Sequence, residues 1–243
     1  MKTIPLLVLL IAIGSAFGQE SRRTLYKAQL LRAAPGKLLS LIELFKNSTS
    51  TFEESGDTAP FMIRHSQGDQ WDLLLLYPME SYGDFYAADR IKRRTAAQAK
   101  QPGLTDQMLS YVVRQDEVFA RGPALDVVRK CFESNRFFHV EMFRALAGKH
   151  KELVQEREME NAYLKILHRP ENLIFVRDQG AGWDSFTIGC YRDIKHFAES
   201  ADLPADAEEK AAVQAGFEAA NRIGTYLRTL ILEHHDTLAV AVP

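Results

Sequence analysis

Apolar and polar positions alternate along residues 25–33 and again along 137–145, the pattern of half-buried strands. A glycine turn follows each stretch, at Gly36 and Gly148, and a helical pattern follows each turn. In the first helix Leu38, Leu41, Ile42 and Phe45 make a stripe at helical spacing. The second, from Lys149 to about Lys165, is more charged, with Leu153, Val154, Ala162 and Tyr163 as apolar positions. Second strands are predicted at 61–65 and 173–177, and third strands at 72–77 and 184–191. The third strands are reached through Gln-Gly-x-x-Trp-Asp hairpin turns. Helical stretches come next, the longest over 205–227, and final strands are predicted at 109–119 and 229–240.

These parallels are a repeat. Arg32 recurs as Arg144, and at the same offset of 112 residues Leu41 meets Leu153, Phe85 meets Phe197 and Trp71 meets Trp183. Both tryptophans of the chain hold one repeat position. Two copies are too few for a solenoid and point to a duplicated unit.

Each copy reads β-α-β-β-α-β, the ferredoxin-like order. The expected fold class is α+β, with a first repeat over 19–120, a joint over 121–135 marked by Gly122 and Pro123, and a second repeat over 136–243. The first strand, the x-Gly-Lys helix start, the Gly-x-x-Trp hairpin and the repeat order resemble the dimeric α/β-barrel superfamily. That superfamily includes antibiotic-biosynthesis monooxygenase-like and NIPSNAP-like proteins. The resemblance implies two ferredoxin-like sheets closing into one barrel with helices outside, built here as an intramolecular pseudo-dimer. It also implies a range of activities, from oxygenases, isomerases and haem enzymes to proteins without chemistry.

Strand alternation sorts side chains onto two faces. An outer helix layer calls for a greasy sheet face, so Tyr26, Ala28, Leu30, Phe138, Val140 and Met142 are expected under the helices. Lys27 and Gln29, with His139 and Glu141, are then expected inside the barrel as ligand-binding and catalytic groups. In a ferredoxin-like sheet the last strand lies antiparallel beside the first, which brings Glu233 and His235 next to His139 and Glu141. Two imidazoles and two carboxylates could hold a divalent metal, act as an acid/base cluster, or simply hydrogen-bond one another. A one-residue slip in register would exchange His235 for His234. Haem is implied only by the resemblance, with His150 and His196 as helix-borne candidates. Asp72 and Asp184 are expected to satisfy backbone donors at the hairpins.

Composition narrows the function. Hydrophobic residues at 46% and charged residues at 26% describe a folded chain rather than a disordered one. A formal charge of -2 gives no footing for a nucleic-acid partner. The basic run Arg90, Lys92, Arg93 and Arg94 is expected as a solvated helix face. P-loop, Rossmann-glycine, Cys-x-x-Cys and Gly-x-Ser-x-Gly motifs are absent, so nucleotide binding and serine hydrolysis are unsupported. The resemblance implies a small-molecule ligand in the barrel of an oxygenase- or isomerase-like enzyme, with a non-catalytic binding or assembly protein as the alternative. Lys2, the apolar run 4–13 and Ala16-Phe17-Gly18 form a secretory signal with cleavage expected after Gly18. That run is too short to span a bilayer, so a secreted or periplasmic mature protein is expected. There Cys131 and Cys190 are candidates for a disulfide, because Cys190 ends the third strand beside the start of the first, a few residues after Cys131; two buried small apolar side chains are the alternative.

Overall fold

The computed structural model describes residues 23–180 and 182–242. The expected export signal and its cleavage point lie outside the described residues. The first half runs β1 (Thr24–Ala33), α1 (Leu38–Asn47), α2 (Thr49–Ser55), β2 (Phe61–Gly68), β3 (Leu73–Glu80), α3 (Tyr82–Phe85), α4 (Ala88–Ala99), α5 (Leu104–Ser110) and β4 (Val112–Gly122). A connecting helix, α6 (Leu125–Ser134), leads to β5 (Phe137–Ala145), α7 (His150–Ile166), β6 (Leu173–Gly180) and β7 (Ser185–Tyr191). The chain ends with α8 (Ile194–Ala198), α9 (Ala205–Gln214), α10 (Ile223–Arg228) and β8 (Ile231–Ala241). The single long helix expected over 205–227 is broken, because Gly216 takes a left-handed φ of 99° just past α9.

All strand pairings are antiparallel, and the order β1-β3-β2-β8-β5-β7-β6-β4 returns to β1 as a closed barrel. The closure is uneven. Within each half the first strand is paired along its length, whereas the joints β2–β8 and β4–β6 are short and each contains a register shift. Glycine makes both joints. Gly68 and Gly180, equivalent in the repeat, have φ of 113° and 101°. A Cβ on Gly68 would run into the Asp236 carbonyl, and one on Gly180 would stand 2.9 Å from the Glu117 carbonyl. The glycine of each Gln-Gly-x-x-Trp-Asp motif therefore lets one half's sheet approach the other's.

The two sheet faces are the reverse of the expectation. Tyr26, Ala28, Leu30, Phe138, Val140 and Met142 join Leu74, Leu76, Phe175, Phe186 and Ile188 in one buried cluster drawn from both halves, which fills the barrel. Lys27, Gln29, His139 and Glu141 share the opposite face with Leu31 and Phe143, which pack against helices α1 and α7. The reason is geometric. Eight strands close around an interior packed with apolar side chains from both halves, where an unpaired polar group costs several kcal/mol. The outer face lies under short helices that leave gaps, so it tolerates polar side chains.

Helix α6 packs against the interior through Val128 and Cys131, and a disulfide joins Cys131 to Cys190 of β7 with Cα atoms 5.9 Å apart. Asp72 and Asp184 accept hydrogen bonds from the backbone of Ala33 and Ala145, each at 2.8 Å, so each holds its third strand to the end of the first.

Candidate functional site

The outer face of each half carries a polar cluster at the same place. In the first half Lys27 and Gln29 on β1 face Tyr77 on β3 and Glu117 on β4. Gln29 donates to Glu117 at 2.8 Å, Gln115 donates to it at 3.0 Å, and the Lys27 ammonium lies 3.4 Å away. The Tyr77 hydroxyl donates to Gln29 at 3.3 Å. Burial, reinforced by the Glu117 charge, pushes that hydroxyl far above its ordinary range, so it stays protonated.

Above this floor lies a cavity of about 420 Å³, walled by α1, α2, α4 and α5. Leu44, Phe45, Phe52, Phe85, Leu104 and Met108 make its apolar walls, with Lys27, Tyr77, Asp57 and Arg94 as polar points. Asp57 is clamped by Arg94 and by Arg90, the latter at 2.7 Å. Burial disfavours the Asp57 carboxylate, but hydrogen bonds from both guanidiniums outweigh it and hold the carboxyl below its usual range. The basic run is thus not wholly solvated: Arg90 and Arg94 turn inward onto Asp57, while Arg93 pairs with Asp89 at 2.7 Å.

In the second half the cluster is His139 and Glu141 on β5 with His234 and Asp236 on β8. The register sets Glu141 opposite Asp236, with Phe143 opposite His234. His139 Nε2 lies 2.7 Å from Asp236, and His234 Nε2 lies 3.3 Å from Glu141 and 3.5 Å from Asp236. Thr187 donates to Glu141 at 3.0 Å. His234 stacks on Phe143 with ring planes 3° apart, and His139 packs against Phe197. Burial works against the His139 imidazolium, but the Asp236 hydrogen bond and the Glu141 charge raise its pKa. Burial likewise works against ionised Glu141, and His234 with Arg157 brings its pKa down.

Glu233 and His235 do not belong to this cluster. A shift in register between Arg144 and Ala145 sets the phase of β8, so His234 and Asp236 share the face of Glu141. Glu233 instead pairs with Arg144 at 3.1 Å. His235 turns to one mouth of the barrel, 3.2 Å from Asp69 and edge-on to Trp183. Trp71 and Trp183 line that mouth together.

The second half has a cavity of about 560 Å³, but it is lined by Gln155, Met159, Phe217 and Tyr226 rather than by His139, Glu141, His234 or Asp236. At the repeat positions of Leu44, Phe45 and Ser48, helix α7 carries Glu156, Arg157 and Glu160. The Arg157 side chain, only 2% exposed, lies over the Phe143 ring. It is chelated by Glu156 at 2.6 and 2.7 Å, and it lies 2.6 Å from Glu160 and 3.6 Å from Glu141. Burial and the neighbouring carboxylates Glu141 and Glu156 raise the Glu160 pKa against the pull of Arg157. These residues escaped the sequence reading, although Leu153, Glu156, Arg157 and Glu160 fall at helical core spacing. Charges at such positions were the available signal.

Solved structures share this architecture. An anthrone oxidase-like protein matches with a TM-score of 0.58 at 12% identity, over 91% of this chain and 92% of its own. A candidate monooxygenase from Lactobacillus acidophilus matches at 0.50 and 8% identity, over 90% and 93%. A chlorite dismutase variant from Candidatus Nitrospira defluvii matches at 0.51 and 10%, over 93% and 94%. The chain shares their fold. No protein-family model matches the chain, and a search of curated proteins by sequence found no match.

Proposed function

We propose that this chain is an exported binding protein for a small, largely apolar molecule with an oxygen-bearing end, held in the first-half cavity between sheet and helices. The observation that carries the reading is the cavity itself. Its volume of about 420 Å³ is in the range of small-molecule sites, and its aromatic and aliphatic walls meet a few convergent polar groups. A flat aromatic body would lie among Phe45, Phe52 and Phe85, with its oxygen directed to Lys27 or the Tyr77 hydroxyl. Anthrones, named for one of the similar structures, belong to this chemical class.

Binding is favoured over turnover by the residues present. No histidine or cysteine lines the cavity, and Asp57 is held ionised by two arginines. Acid/base chemistry inside the barrel has no support, because that space is filled by apolar side chains.

Haem does not fit this donor set. It needs an axial His, Cys, Met or Tyr. Tyr77 is kept protonated by burial, and Met108 has no imidazole opposite it on the lining. Of the helix-borne histidines, His150 pairs with Asp184 at 3.3 Å, and His196 accepts from the Arg192 backbone at 3.2 Å. In the second half Arg157 fills the corresponding space.

A buried disulfide accords with export, since such bonds persist in oxidising compartments. Mass analysis of secreted protein beginning at Gln19 would support this part; a retained leader would refute it.

The binding test is a fluorescence titration with 1-anilinonaphthalene-8-sulfonate, a flat aromatic anion. Leu44→Trp, which fills the cavity from α1, is expected to weaken binding at least tenfold while circular dichroism is unchanged. Equal binding by wild type and variant would overturn the assignment.

A further inference from the structure

We infer that His139, His234, Glu141 and Asp236 form a binding site for a divalent transition-metal ion on the outer face of the second half. The argument starts from the strand register. Glu141 and Asp236 stand directly opposite on neighbouring strands, where like charges are mutually destabilising. On the same face His139 stands two residues before Glu141 and His234 two residues before Asp236, so each imidazole lies diagonal to the carboxylate of the other strand, one on either side of the carboxylate pair.

The spacing of the donor atoms is that of ligands around one ion. Zinc binds His nitrogen and carboxylate oxygen at about 2.0–2.2 Å, which puts neighbouring ligand atoms about 3–3.5 Å apart. Here His139 Nε2 lies 2.7 Å from Asp236, and His234 Nε2 lies 3.3 Å from Glu141 and 3.5 Å from Asp236. One donor atom each from His139, Glu141 and Asp236 lies within 4.8 Å of the other two, which makes these three the core of the site, with His234 beside it as the fourth ligand. Both imidazoles present Nε2 to the carboxylates.

The surroundings support the ligands in the way metal sites require. Thr187 fixes Glu141 through a hydrogen bond of 3.0 Å, and Arg157 lies behind the same carboxylate at 3.6 Å. Phe143 and Phe197 hold the two imidazole planes. Asp236 is 57% exposed, which leaves a route for the ion and room for water as a further ligand.

The first half shows what the same cluster looks like without this role. At the position of His139 it has Lys27, at that of Glu141 it has Gln29, and the strand partner Glu117 is the one carboxylate. A fixed ammonium 3.4 Å from Glu117 supplies the positive charge there. The second half has two carboxylates in the cluster and no lysine; Arg157 stands 3.6 Å from Glu141, and a dication shared with Asp236 completes the set. Mixed nitrogen and oxygen ligation suits Zn²⁺, Co²⁺ or Mn²⁺ better than Ca²⁺.

The test is calorimetric titration of EDTA-treated protein with ZnCl₂, with CoCl₂ absorbance as a second readout. One ion per chain and visible Co²⁺ ligand-field bands are expected. His139→Ala and His234→Ala should each weaken binding at least tenfold, and so should Asp236→Asn, whose exposed position spares the fold. His235→Ala and Glu233→Gln, on the opposite face, should bind as wild type. Absence of a one-to-one site, or an equal loss in His235→Ala and His234→Ala, would overturn the inference.

Discussion

Phe45 and Arg157 hold the same position in the two copies of the repeat and do opposite things to the space beneath them. Phe45 is one wall of an open cavity, whereas Arg157 lies flat over Phe143 within a ring of carboxylates. Duplication has produced two sheet-and-helix sandwiches around one apolar barrel interior, and a few side chains of α1 and α7 decide which of them has open space over its polar cluster.

Removing the arginine alone should be severe. Arg157→Met keeps the bulk but leaves Glu141, Glu156 and Glu160 without their buried cation, a change expected to cost about 3–5 kcal/mol. Copying the first half instead, with Glu141→Gln, Glu156→Leu, Arg157→Phe and Glu160→Ser together, should lose less, because charges and counter-charge leave together. Urea denaturation of the two variants at pH 7 gives the comparison.

Asp57 should contribute a pH-dependent share of stability. Its two arginines hold the folded carboxyl below the unfolded value of about 4. The contribution is therefore complete above about pH 4 and is lost as pH falls through the lower native pKa. Asp57→Asn is expected to be about 3 kcal/mol less stable at pH 7, and the two unfolding curves should converge below about pH 3. A constant difference down to that pH would contradict the assignment.

The Cys131–Cys190 bond closes a sequence separation of 59 residues and ties α6 to β7. Loop-closure entropy for that span gives about 4 kcal/mol as an upper figure. Cys131→Ala paired with Cys190→Ala should lower stability by about 2–4 kcal/mol in guanidinium titrations and leave dye binding in the first half intact.

The repeat and the element order were legible because they rest on local signals: alternation, turn glycines and a recurring motif. Asp72 and Asp184 were expected to serve donors of their own hairpins, and instead they accept from Ala33 and Ala145 at the ends of the first strands. The facing of the strands was not. Tyr26, Ala28 and Leu30 were apolar enough for either face, and only barrel closure, a contact between halves, decides that the interior takes them. His139 and Glu141 were found as a pair, but their partners depended on the phase of β8. A register shift opposite Ala145 sets that phase, and no periodicity within 231–241 records it. The cavity was hidden for a further reason. It is made where α1, α2, α4 and α5 fail to meet, and Leu44 or Ser48 read alone as ordinary helix positions.

Backbone amide mapping by NMR, with 1-anilinonaphthalene-8-sulfonate added to the purified protein, tests the central assignment most directly. The account predicts shifts concentrated at Lys27, Phe45, Tyr77, Arg94 and Met108, with Arg157 and its neighbours unmoved. Shifts centred on Tyr26, Phe138 and Phe175, or on Trp71 and Trp183 at the mouth, would place the ligand in or at the barrel and contradict it.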